Sequence, residues 1–211
     1  MKTVFVNPER CIGCRQCEFS CAVAHSHSHD PAQAIMETPL PRSRIQILAG
    51  PAFNTSFPNR CRHCDPAPCV GVCPTGAMTQ ERARDVVLAD AHKCIACAMC
   101  AMVCPFDAIS FYARSNGAPA RIVATKCDGC IERVDEGLEP ACVEACKAGA
   151  LVFGELNELI AEGRASEISA IFAATKATDT ARARIPVNVA GWRAWGESAT
   201  HVNEEAHHGQ S

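Results

Sequence analysis

Residues 93–105 read Lys-Cys-Ile-Ala-Cys-Ala-Met-Cys-Ala-Met-Val-Cys-Pro, with cysteines at the spacing C-x2-C-x2-C-x3-C-P. This is the run that binds cubane [4Fe–4S] clusters, and its fourth cysteine binds the other cluster of a pair. Three thiolates on one tight loop each bind an iron of the same cube. We expect the fourth to begin a helical stretch and to point away. A chain built in this way couples metal binding to folding.

Three further groups of four account for the remaining cysteines, and none of the sixteen is left over. Numbered along the chain, the four groups are Cys11-x2-Cys14-x2-Cys17-x3-Cys21, Cys61-x2-Cys64-x4-Cys69-x3-Cys73, Cys94-x2-Cys97-x2-Cys100-x3-Cys104 and Cys127-x2-Cys130-x11-Cys142-x3-Cys146. Sixteen thiolates at four per cube predict four [4Fe–4S] clusters as the cofactors.

Zinc and disulfides are the alternative explanations of these cysteines. Structural zinc sites commonly use two separated C-x2-C pairs, which only group four resembles, through its x11 gap. Disulfides suit small secreted domains, whereas residues 1–8 contain no apolar secretory stretch before the first cysteine. Both alternatives fit the pattern less well than iron–sulfur clusters do.

The composition excludes nucleic acid as a partner. The formal net charge is −3, and it becomes about −11 when four oxidised clusters are counted with their thiolates. A protein this negative repels phosphate backbones despite its 20 lysines and arginines. Aromatic residues make up only 5% of the chain, so the clusters themselves are expected to fill much of the interior.

A basic residue directly precedes the first cysteine of every group. These residues are Arg10, Arg60, Lys93 and Lys126. A cation beside an anionic cluster favours the reduced, more negative form, so we predict that these four help to set the reduction potentials. Four unrelated surface charges are the alternative.

An internal repeat predicts the fold class. Similar segments follow the last cysteine of groups two, three and four directly, and each predicts a short helix, a turn and an apolar strand. The predicted strands are residues 44–48, 86–88, 109–112, 122–124 and 151–153. We therefore predict an α+β fold of short strands and helices around paired clusters.

Residues 22–60 separate groups one and two and carry five prolines, which favours an ordered surface loop suited to docking. Within it, His25, His27 and His29 alternate. Alternate residues share a face only in an extended chain, so a solvated loop is favoured over a metal site.

The composition changes after residue 154. Leu156, Leu159 and Ile160 have helical spacing, and both tryptophans of the chain, Trp192 and Trp195, lie further on. We predict two parts: a four-cluster core over residues 1–154, and a helical or extended docking tail over residues 155–211. The tryptophans anchor either the tail to its own core or another subunit.

No apolar run reaches the ~18–20 residues that span a bilayer. We expect a cytoplasmic protein without a transmembrane segment, and export on a partner with a signal sequence is the alternative.

The motifs resemble a known family. The segments NPERCIGCRQCEFSCAVAH (7–25), CRHCDPAPCVGVCPTGAM (61–78) and KCIACAMCAMVCPFDAI (93–109) are similar to those of four-cluster, ferredoxin-like electron-transfer subunits. These include the iron–sulfur subunits of dimethyl sulfoxide reductase, formate dehydrogenase and formate hydrogenlyase. The likeness is greatest to the iron–sulfur protein associated with carbon monoxide dehydrogenase, and similar subunits accompany tungsten aldehyde oxidoreductases. The resemblance covers residues 4–154.

The resemblance implies two interleaved, bacterial-ferredoxin-like modules, formed by groups one and four and by groups two and three. The four ligand sets that it implies are Cys11, Cys14, Cys17 and Cys146; Cys127, Cys130, Cys142 and Cys21; Cys61, Cys64, Cys69 and Cys104; and Cys94, Cys97, Cys100 and Cys73. Spacing alone does not fix this pairing, and pairing of neighbouring groups stays open from the residues. Lys147 stands where the family usually has proline after the last cysteine.

The implied function is electron transfer in anaerobic metabolism, without catalysis by this chain. Its partners would be a catalytic oxidoreductase subunit and a second redox protein of flavin or hydrogenase type. The catalytic subunit would be of the tungsten or molybdenum aldehyde oxidoreductase type or of the carbon monoxide dehydrogenase type. Self-association through residues 155–211 is a further expectation. A freely diffusing polyferredoxin that serves a hydrogenase or several partners is the alternative.

Overall fold

A computed structural model describes residues 2–50, 55–114 and 120–163. The helical tail and the tryptophan anchor predicted for residues 155–211 lie outside these residues, except that residues 156–163 are helical. Met1–Leu159 form one compact unit, and the boundary expected after residue 154 stays a prediction. None of the helices in the described part is long and apolar enough to cross a membrane.

Short strands and helices alternate along the unit. The strands are β1 (Lys2–Val6), β2 (Gln46–Ala49), β3 (Ser56–Asn59), β4 (Met78–Glu81), β5 (Val86–Ala89), β6 (Ser110–Arg114), β7 (Arg121–Thr125) and β8 (Leu151–Glu155). The helices are α1 (Gln16–Ala24), α2 (Pro31–Ala34), α3 (Pro68–Gly71), α4 (Met99–Met102), α5 (Ile131–Asp135) and α6 (Ala141–Glu144). This mixture of helices and small sheets agrees with the predicted class at that level.

The strands form four separate antiparallel pairs. Three are between consecutive strands: β2 with β3, β4 with β5, and β6 with β7. The fourth joins the two ends of the unit, because β1 pairs with β8 from Lys2 opposite Glu155 to Val6 opposite Leu151. The chain therefore returns at residue 151 to the place where it began.

The apolar interior is divided into two clusters of side chains. Core one, around Val4, Ile45 and Leu151, contains cysteines of groups one and four only: Cys17, Cys21, Cys142 and Cys146. Core two, around Met78 and Val87, contains cysteines of groups two and three only: Cys69, Cys73, Cys94, Cys100 and Cys104. Each core thus combines two cysteine groups with the strands beside them.

The five predicted strands are present, with ends that differ by one or two residues. The predicted helices after the last cysteines are wrong. In groups two, three and four the helix ends before the last cysteine and a turn follows it. Pro74 and Pro105 explain two of these ends, because proline disfavours helical backbone in the residue before it. In group one, α1 carries both Cys17 and Cys21.

Candidate iron–sulfur centres

The cysteine loops of groups one and three share an unusual backbone. Gly13 and Arg15 have φ of 69° and 59°, and the equivalent Ala96 and Ala98 have φ of 57° and 63°. Left-handed backbone costs a non-glycine residue about 1–2 kcal/mol. Such residues turn successive N–H groups toward one side and form a concavity that binds anions, including iron–sulfur clusters. The strain in these loops therefore fits an anionic cluster.

Backbone N–H groups point at the cysteine sulfurs. Seven such contacts are 3.3–3.5 Å long: Arg44 N to Cys21, His63 N to Cys61, Met78 N to Cys73, Ala96 N and Ala124 N to Cys94, Ala108 N to Cys104, and Gly129 N to Cys127. The hydroxyl of Ser56 donates to Cys11 Sγ at 3.1 Å. Hydrogen bonds to the sulfurs of a cluster are one of the means by which proteins set its potential.

Many of the thiols lie in a dry environment. Burial raises the pKa of the Cys17 thiol to about 12 and that of the Cys100 thiol to about 11. A lone thiolate is unstable in such a place, whereas iron binds thiolates and supplies the positive charge that stabilises them. By contrast, Cys14 and Cys97 are exposed.

The structure brings cysteines of different groups together. Cys17 interacts electrostatically with Cys14 and Cys146, and Cys142 with Cys21, Cys127 and Cys130. Cys64 and Cys69 both interact with Cys61 and Cys104. Cys73, Cys94, Cys97 and Cys100 line one small cavity. In every case the neighbours come from groups one and four or from groups two and three.

The four predicted cations differ in their surroundings. Arg60 and Lys126 are both 3% exposed. Arg10 is exposed, and its Nη1 lies 3.1 Å from the position that a Cβ on Gly149 would take. The side chain of Lys93 is 61% exposed, with Nζ 3.8 Å from a carboxylate oxygen of Asp90. The prediction of a local role for all four stays untested, but only two of them occupy the interior.

Sequence reasoning missed His63, which lies inside the group-two loop. Its Nδ1 accepts a hydrogen bond of 3.0 Å from the backbone N–H of Val87, and the residue is 8% exposed. Burial, followed by the positive charges of Lys126 and Arg60, lowers its pKa to about 3. The ring is therefore neutral, and the only sequence signal was its place between two cysteines.

His25 differs from the solvated loop predicted for the three alternating histidines. His27 and His29 are exposed, but His25 Nε2 lies 3.1 Å from Oδ1 of Asp128 and Nδ1 lies 2.8 Å from the Cys21 carbonyl oxygen. Burial opposes its charge, yet hydrogen bonds to Asp128, Cys130 and Cys21 raise its pKa to about 12. The prediction is wrong for His25, because α1 ends beside the group-four loop. Asp128 also pairs with Arg44.

Comparisons with known proteins agree with this reading of the cysteines. Two family models described as 4Fe-4S dicluster domain match residues 52–156 and residues 10–78. Two dicluster domains correspond to four [4Fe–4S] clusters, so the predicted cofactors are confirmed, and the sixteen cysteines fit this number.

Three relatives show how far the likeness extends. An "Iron-sulfur protein" of Rhodospirillum rubrum is 38% identical over 175 residues, covering 79% of this chain and 90% of the relative. The "Electron transport protein HydN" of Escherichia coli strain K12 is 36% identical over 165 residues, covering 74% and 89%. A tetrathionate reductase subunit of Salmonella typhimurium is 33% identical over 156 residues, covering 74% and 58%.

Proposed function

Since this chain belongs to the family of 4Fe–4S dicluster, ferredoxin-like electron-transfer proteins, we propose that it is the electron-transfer subunit of a larger oxidoreductase. In this role it passes single electrons between a catalytic subunit and a second redox partner. The observation that carries the proposal is that cysteines alone make up four complete ligand groups. A [4Fe–4S] cube in which each of the four irons binds one cysteine thiolate has no open iron position for a substrate. [4Fe–4S] clusters carry one electron at a time, and the protein's part is to hold them and to tune them.

We assign the four clusters to the ligand sets named in the sequence analysis. The strand pairing supports the first set. Because Val6 and Leu151 are opposite each other, Cys11 and Cys146 each lie five residues from the same end of the β1–β8 pair. A side-chain bond supports another set: Asn59 Nδ2 donates to the Phe106 carbonyl oxygen at 2.8 Å, so Cys61 and Cys104 each lie two residues from this contact. The division of the cysteines between two cores agrees with two interleaved modules.

More specific proposals concern the identity of the partners. We propose a catalytic subunit of the tungsten or molybdenum aldehyde oxidoreductase type or of the carbon monoxide dehydrogenase type. The second partner would be a flavin or hydrogenase protein, and the location cytoplasmic. Residues 155–211 would provide the docking tail, because the cysteine groups end before them and both tryptophans lie in them.

A freely diffusing polyferredoxin is the second candidate. It is favoured by the match in length, since the chain covers 90% and 89% of two short relatives but 58% of the tetrathionate reductase subunit.

Anaerobic purification of the native protein separates the two candidates. The subunit proposal expects co-purification of a second chain, with tungsten, molybdenum or nickel in that complex, and sixteen irons per copy of this chain. A chain ending at Gly154 should keep its irons and lose the partner. Purification of the wild-type chain alone, without any partner, contradicts the subunit proposal and favours the free carrier. An iron content of eight or fewer contradicts both.

A further inference from the structure

Two buried cations lie without ion-pair partners among the described residues. Arg60 donates from Nη1 to the Cys61 carbonyl oxygen and from Nη2 to Thr3 Oγ1, both at 3.1 Å. Lys126 Nζ donates to the Cys127 carbonyl oxygen at 2.7 Å. Carbonyl and hydroxyl oxygens are neutral, so these bonds orient the cations without balancing their charge. A buried charge is costly unless an opposite charge is near.

The two side chains cross between the cores. Arg60 precedes group two, yet its Nη2 also donates to the carbonyl oxygen of Val4, which packs in core one. Lys126 precedes group four, yet its Nζ also donates to the carbonyl oxygen of Val87, which packs in core two. Each cation therefore extends from a cysteine loop of one core to a strand of the other, where the two cores meet.

The two cations lie beside the loops of two of the four proposed clusters. Arg60 directly precedes Cys61 and donates to its carbonyl oxygen, and Lys126 directly precedes Cys127 and donates to its carbonyl oxygen. The two remaining clusters have only the exposed Arg10 and Lys93 before their first cysteines. The four clusters therefore divide into an inner pair beside buried cations and an outer pair beside solvated ones.

We propose that Arg60 and Lys126 are the counter-charges of this inner pair, and that they raise its reduction potentials. The inference rests on the proposed function and on the ligand sets assigned there. Reduction takes one electron from a redox partner, involves no proton, and adds one negative charge to the centre. A cation held nearby in a dry interior stabilises this added charge far more than a solvated cation does. An added electron is therefore more stable on the inner pair of clusters, where the two cores meet.

A purely structural role is the competing explanation, since both side chains also connect the two cores by hydrogen bonds. The reduction potential separates the two roles, because a structural connector is not required to move it. We therefore compare Lys126→Gln and Arg60→Gln, which keep a hydrogen-bond donor without the charge. Lys126→Arg keeps the charge, and Lys93→Gln is the matched control at an exposed position.

The measurement is an anaerobic redox titration of the full-length, iron-loaded chain, followed by electron paramagnetic resonance. In Lys126→Gln and in Arg60→Gln, at least one inner cluster should become harder to reduce. Its ratio of reduced to oxidised centres at a fixed potential should fall about tenfold, which corresponds to a shift of 59 mV in the potential of a one-electron couple. Lys126→Arg should retain the wild-type ratio, and Lys93→Gln should change it by less than about twofold. Unchanged potentials in both glutamine variants, or equal shifts in Lys93→Gln, overturn the inference.

A second measurement decides the matter if the glutamine variants fail to load iron. Raising the salt concentration from 0.01 to 1 M shortens the Debye length from about 30 to 3 Å. In the wild-type chain this should move two of the four potentials clearly more than the other two, because only the outer pair depends on solvated charges. Equal movement of all four overturns the inference. Eight or fewer irons per wild-type chain contradict the proposed function instead.

Discussion

Replacing Cys21 with alanine should damage a cluster that is not bound by the other cysteines of its own group. In the proposed ligand sets, Cys21 completes the cluster of Cys127, Cys130 and Cys142. Cys17 lies one helical turn away on α1 and belongs to the cluster of Cys11, Cys14 and Cys146. Both residues are buried, at 5% and 6% exposed, so Cys17→Ala is a matched control at equal depth.

The expected loss of iron from Cys21→Ala follows from the loss of a cluster ligand and not from the loss of packing. Exchanging a buried sulfur for hydrogen removes about one heavy atom of apolar contact, or ~1 kcal/mol. That is a small part of a typical stability of about 5–15 kcal/mol, so core one should still fold. Loss of a ligand exposes one cluster to decay, and each variant should lose up to four of its sixteen irons. The iron contents of the two variants should be alike, whereas the thiols released should differ.

Alkylation after brief exposure to air, read by mass spectrometry, identifies the released thiols. Cys21→Ala should make Cys127, Cys130 and Cys142 reactive and leave Cys11, Cys14 and Cys146 protected. Cys17→Ala should give the reverse pattern. If Cys21→Ala released the thiols of group one, the proposed exchange of the fourth ligand between groups would be refuted.

Three further changes test the packing around the sites. In a thermal unfolding assay, Gly129→Ala should destabilise the chain by about 1–2 kcal/mol, because Gly129 has φ of +75° and an added Cβ would lie 3.0 Å from Val86 Cγ1. In the same assay Gly71→Ala, whose added Cβ would meet nothing within 4 Å, should be neutral or stabilising. Ile45→Ala should lower the free energy of unfolding by about 2–5 kcal/mol, since Ile45 is 2% exposed in core one. Ile35→Ala, at a residue 63% exposed, should change it by less than ~0.5 kcal/mol. Removal of iron by an anaerobic chelator should abolish cooperative unfolding in calorimetry, because metal binding is coupled to folding; an apoprotein with the native unfolding temperature would contradict this.

The cysteine spacing was sufficient to predict the cofactors, and the apolar runs were sufficient to predict five strands. The repeated spacing identified four clusters, and the apolar run at 86–88 lies within β5 (Val86–Ala89). The strand predicted for 44–48 begins at Gln46 instead, because Ile45 is buried in core one. Local signals thus gave the strands but not the helices, and packing moved the ends of the strands.

The sequence around each cysteine group was not sufficient to predict the electrostatic environment of the four cations. Four basic residues occupy equivalent places before the four groups, but Arg60 and Lys126 are buried while Arg10 and Lys93 are exposed. What separates them is contact with strands far along the chain, such as that of Arg60 with Thr3. His25 likewise reaches Asp128, 103 residues away. A single sequence carries no sign of contacts at these separations.

In the proposed pairing of cysteine groups, proximity along the chain is a weak guide to which groups combine. Joining Cys11 to Cys146 closes a loop about twice as long as joining Cys11 to Cys73 would. The added loop-closure entropy is only ~0.7 kcal/mol. Five residue pairs between β1 and β8, together with the burial of Val4 and Leu151 in one core, outweigh this difference, since one fully buried Val or Leu contributes about 1.5–3 kcal/mol. In the proposed pairing, the strands that share a core therefore decide which groups combine, and the spacing within each group decides only that a cluster forms.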